Sequence, residues 1–117
     1  KLVERVRDET GPHLARKFAE LAQHPLVAEA QTCGLMGALL LVKDKATGTP
    51  WESERDIGMV CRGHCFGNGL IMRAVGDRMI VAPPLVMTRA QIDEMMGLIR
   101  LCLDATLADL GTKGLLA

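Results

Sequence analysis

Apolar positions recur at three- and four-residue intervals in three parts of the chain and run almost unbroken in two others. Val3, Val6, Leu14, Phe18 and Leu21 are separated by Lys, Arg, Glu and Asp, the spacing of an amphipathic helix or helix pair over the first 22 residues. Thr10-Gly11-Pro12 offers a break, and Pro12 suits a first helical position, where a missing N–H has no helical partner to lose. The pattern stops at His24-Pro25, because a proline disfavours helix in the residue before it. The run CGLMGALLLV, Cys33 to Val42, is continuous and of strand length, which predicts a strand buried on both faces. The polar stretch KDKATGTPWESERD, with Gly48 and Pro50, reads as a surface loop.

Ile57, Val60, Cys61, His64 and Cys65 share a helical face, closed by Gly67-Asn68-Gly69 as a left-handed cap signal. A strand is expected from Leu70, a hairpin turn at Val75-Gly76-Asp77-Arg78, and a return strand from Met79 to Ala82 that Pro83 and Pro84 terminate. Thr88 and Gln91 fit a capping box. Behind it Ile92, Met95, Met96, Ile99, Cys102, Leu103, Thr106 and Leu110 form one stripe, which Gly111 should end. Helix, strand, helix, hairpin and helix in that order predict an α+β fold, a small antiparallel or mixed sheet covered by helices on one face.

Composition narrows the function classes. The 117 residues are one domain's worth, 49% hydrophobic and 24% charged, enough for a modest core. Fourteen basic and fourteen acidic side chains cancel, leaving no net field to attract nucleic acid or an anionic membrane. One Trp, two Phe and no Tyr give no stacking platform for single strands. No apolar run approaches the roughly 20 residues of a membrane span, and no secretory leader is visible, so the chain reads as soluble. It opens without Met and already inside a helical pattern, which suggests a fragment of something longer. Of the four cysteines, Cys33 and Cys102 lie in apolar patterns where a reduced thiol acts as a small hydrophobe, so all four are read as thiols of a reducing compartment.

Three constellations carry candidate chemistry. Cys61, His64 and Cys65 are soft zinc ligands by type, but a structural site needs four ligands and the usual signature is two close pairs. Two small residues one helical turn apart also suit simple packing, which is the preferred reading; no metal site is assigned, and the same helix gives no aligned base for a nucleophile. The methionines of the last helix read as core filling. Arg73 is different. In strand alternation it stands between Ile71 and Val75 on one face, while Leu70, Met72 and Ala74 occupy the other. A charge there needs solvent, a partner such as Asp77 across the turn, or a ligand carboxylate or phosphate for its guanidinium fork.

The blocks VAEAQTCGLMGALLLVKDKATG, IGMVCRGHCFGNGLIMR and GLIMRAVGDRMIVAPPLVMTRAQIDEMM, in this order and spacing, closely resemble the C-terminal part of class III aminotransferases dependent on pyridoxal phosphate, of the omega-amino acid or amine:pyruvate branch. Essentially the whole chain is covered; Ile57 replaces a valine of the family block. The resemblance implies that residues 1–117 are the small C-terminal domain of a fold type I subunit whose large cofactor domain is absent from this chain. It implies that Arg73 binds the substrate carboxylate and swings aside for an amine that has none, and that Val75 lines the same cavity. The implied activity is amino-group transfer from an omega-amino acid or amine to a keto acid such as pyruvate, in a cytoplasmic homodimer. Lys1, Lys17, Lys43, Lys45 and Lys113 fall in no matching Schiff-base motif, so this segment is expected to hold no catalytic or cofactor-binding residue and to be inactive alone. The competing reading is a stand-alone binding or regulatory module.

Overall fold

The helical period of the first 22 residues becomes one rod rather than a broken pair. In the computed structural model, which describes residues 1–115, α1 (Leu2–Arg5) passes through a π-helical turn (Val6–Thr10) into α2 (Gly11–Glu20) and a closing 3₁₀ turn (Leu21–Gln23). Pro12 lacks the N–H an α ladder would need, and its ring crowds the carbonyl four residues back; widening the preceding turn accommodates both. The rod continues where a break was expected. Leu14, Phe18 and Leu21 are buried, whereas Val3 stays exposed.

The remaining elements are β1 (Val27–Cys33), β2 (Met36–Leu41), a 3₁₀ turn (Ser53–Arg55), α3 (Ile57–Gly67), β3 (Arg73–Val75), β4 (Arg78–Val81) and α4 (Arg89–Thr112). The strands form one sheet of order β1-β2-β4-β3, antiparallel throughout. The fold is therefore α+β as expected, with α2 and α3 on one sheet face and α4 packed across both helices. Val27, Leu39, Leu41, Met79 and Val81 point into this layer and are buried. Gly37 shares their face because the Phe18 ring fills its side-chain space: a Cβ there would lie 2.7 Å from the ring.

Several expectations are corrected. The apolar run from Cys33 to Val42 is not one strand. It comprises the end of β1, a two-residue turn with Gly34 at φ +60°, and β2, with Cys33 paired to Met36. Cys33 is exposed, not buried, because it ends an edge strand on the uncovered face. The strand expected from Leu70 starts at Arg73, since Leu70 serves as the cap of α3. Its N–H donates to the Cys65 carbonyl while that of Gly69, at φ +77°, donates to Phe66, the paired bonds of a Schellman cap. Helix α4 runs through Gly111 to Thr112, and the same pair of bonds forms around Gly114 at φ +67°. The loop after β2 sends Trp51 into the core, 4% exposed.

The helical expectations hold where both period and cap are present. Thr88 and Gln91 make both bonds of the capping box, and all eight stripe residues of α4 are buried. Cys61 and Cys65 are buried in α3. No helix among the described residues is long and apolar enough to cross a membrane.

Candidate functional site

The β3–β4 hairpin carries Arg73, and its placement begins at the turn. Val75 pairs with Arg78, so Gly76 and Asp77 form a two-residue loop in which Gly76 takes φ +58°, the arrangement that matches strand twist. This turn is fastened on two sides. The Asp77 carbonyl accepts from the Leu41 N–H at 2.9 Å, and the Asp77 carboxylate accepts from the Gly58 N–H at 3.0 Å. Asp77 thus caps the first turn of α3 from another element, placing negative charge at a helix N-terminus. It does not pair with Arg73, which corrects that sequence-based option. Gly58 is the other half of the contact: a Cβ on it would lie 2.0 Å from the Gly76 carbonyl oxygen. Asp77→Ala should cost about 1 kcal/mol of stability, seen as a lower denaturation midpoint at unchanged slope.

Strand register then fixes which way Arg73 faces. Residues opposite one another share a sheet face, and Arg73 is paired with Ile80, Ile80 with Ala38, and Ala38 with Gln31. The adjacent row runs Val75, Arg78, Leu40, Glu29. Both rows lie opposite the helical layer. Arg73 is exposed, Val75 is 48% exposed and Ile71 81% exposed, while Leu70 and Met72 beneath them are buried. The arginine is tolerated in an apolar stretch because only the alternate residues enter the core. It has no ion pair or hydrogen bond among the described residues. Gln31, Cys33, Met36, Ala38 and Ile80 line a shallow depression of about 600 Å³ on the same face. A planar guanidinium beside an apolar floor can bind a carboxylate through two parallel N–H bonds.

The other candidates separate. The His64 Nε2 lies 3.1 Å from Asp109 on α4, and among the described residues no three His, Cys, Asp or Glu side chains gather as a metal site. Cys61 and burial push the Cys65 thiol well above its ordinary value, and burial raises Cys102, so both remain protonated packing groups. All three histidines donate a ring N–H to aspartates of α4: His13 to Asp93 at 2.7 Å, His24 to Asp104 at 2.9 Å, and His64 to Asp109. Sequence spacing gave no signal of these long-range pairs.

Three of the five lysines have polar partners. Lys43 pairs with Glu52, Lys113 pairs with Asp109, and Lys45 donates to the backbone carbonyls of Ala22 and His24. Lys17 lies on α2 and Lys1 at the chain start, both far in sequence from the Arg73 hairpin.

No protein-family model matches the chain. It is 54% identical over 108 residues to the putrescine–pyruvate aminotransferase of Pseudomonas aeruginosa, covering 92% of this chain and 24% of that protein. The omega-transferase of Vibrio fluvialis superimposes with a TM-score of 0.89 at 32% identity, over 95% of this chain and 26% of that one. An aminotransferase of the same organism, in its PMP-bound form, gives 0.86 at 34% identity over 92% and 24%. The chain spans about a quarter of the length of the relatives it matches. In sequence and in fold the chain is thus related, over nearly its whole length, to about a quarter of an aminotransferase.

Proposed function

We propose that this chain is the C-terminal small domain of a longer aminotransferase and supplies the wall that recognises the substrate carboxylate. Arg73 binds that carboxylate through its guanidinium fork, and Val75, on the same strand face, lines the adjoining apolar wall. The reading is supported chiefly by one observation: a charge in an apolar hairpin stands exposed on the uncovered sheet face, with no partner among the described residues, on a turn fastened to α3. With no hydrogen bond or ion pair holding it among the described residues, the side chain can turn outward when the substrate is an amine without a carboxylate. The reaction is amino transfer between an amine, such as the putrescine named for the Pseudomonas relative, and pyruvate. Pyridoxal phosphate is held by the rest of the polypeptide, in a cytoplasmic homodimer; this chain contributes binding and orientation of the substrate.

A chimera tests this, with residues 1–117 replacing the matching quarter of the Pseudomonas enzyme. The expected result is retained transfer from putrescine to pyruvate; a folded, cofactor-loaded chimera without activity would overturn the reading. The 117-residue chain alone should gain no borohydride-fixed pyridoxal phosphate by intact mass, and stoichiometric fixation on one lysine would contradict the assignment of the cofactor site elsewhere.

A further inference from the structure

A second guanidinium shares the face of Arg73. Arg78 occupies β4, an inner strand, and its register partner across the hairpin is Val75, so Arg73 and Arg78 stand diagonally on one face. Such diagonal positions are separated by about 7–8 Å between Cα atoms, within mutual reach of two long side chains. Both are exposed, and neither has an ion pair or hydrogen bond among the described residues. Their cross-strand neighbours are Ile80 for Arg73, and Val75 and Leu40 for Arg78. Glu29, the acidic member of Arg78's row, lies beyond Leu40 and pairs with neither arginine. The other hairpin charge, Asp77, is directed to the Gly58 N–H. Two like charges are thus set side by side on an apolar floor with no neutralising group between them. An unbridged cationic pair is unfavourable in a folded sheet and becomes favourable when an anion spans it.

We propose that Arg78 is a second carboxylate-binding residue, so that the Arg73 and Arg78 pair selects a ligand with two carboxylates joined by a short methylene chain over one with a single carboxylate. The inference rests on the reading of Arg73 given above and adds a specificity determinant to it. Arg73 takes the carboxylate common to both ligand types, and Arg78 takes the distal one. A monocarboxylate such as pyruvate engages Arg73 alone.

Succinate and butyrate, equal in carbon number and differing in the second carboxylate, are suitable probes. The chimera is titrated with each while the Nε–H signals of Arg73 and Arg78 are followed by NMR. The expected result is that succinate shifts both signals and binds at least fivefold more tightly than butyrate. Butyrate should shift Arg73 only, and Arg78→Gln should abolish the difference while Arg78→Lys restores part of it. If both acids shift Arg73 alone with equal affinity, the role of Arg78 is overturned and that of Arg73 stands. If neither acid shifts either arginine, both assignments fail.

Discussion

Arg73→Ala in the chimera should raise the KM for pyruvate about 30- to 160-fold, equivalent to about 2–3 kcal/mol for a lost hydrogen-bonded contact between two charges. Amines that lack a carboxylate should keep their kinetic constants within a few-fold. The asymmetry is the informative part. The Arg73 side chain is exposed and makes no hydrogen bond or ion pair with another described residue, so its removal leaves no buried partner unsatisfied and opens no cavity. Stability should therefore stay within about 0.5 kcal/mol, as for surface substitutions elsewhere. Equal losses for pyruvate and amine would assign Arg73 to structure instead of recognition.

Two glycines of α3 should respond to alanine with opposite signs. Alanine has the better helix propensity, so Gly63→Ala, where nothing lies within 4 Å of the new methyl, should stabilise the chain by about 0.5–1 kcal/mol. Gly58→Ala places its methyl 2.0 Å from the Gly76 backbone oxygen, an atom held by a turn that is itself bonded to Leu41 and Gly58. Either α3 or the hairpin must move, and overpacking of this kind should outweigh the propensity gain to leave a net loss of about 2 kcal/mol. Urea midpoints of the two variants check the signs. In the chimera Gly58→Ala should also weaken pyruvate binding, because the hairpin that moves is the one carrying Arg73. A destabilised variant with unchanged KM would uncouple the turn from the site.

How much of this was legible in the sequence depended on whether the determining contacts were local. Helix α4 was readable because its stripe and its Thr88–Gln91 box are both set within a few residues. The hairpin turn was readable because Gly76 is the residue its backbone requires. Strand β1 was not: it is an edge strand whose outward positions are Glu29, Gln31 and Cys33, so it lacks the apolar alternation of a half-buried strand. The turn at Gly34-Leu35 was concealed by apolar neighbours on both sides, and Leu35 itself is buried despite its place in the loop. Arg73 stood out in the sequence as a charge where the pattern wanted a hydrophobe. What surrounds it did not, because Asp77 finds its partner 19 residues away at Gly58, and Arg78 joins the same face only through strand register.

The most direct measurement of the central claim, that this chain works as part of a longer aminotransferase, is the intact mass of the polypeptide carrying this sequence in the cells that make it. The account predicts a product about four times the 12.7 kDa of these 117 residues, in keeping with their match to about a quarter of each relative. A native product of 12.7 kDa, with no longer form, would contradict it and leave an independent binding module in its place.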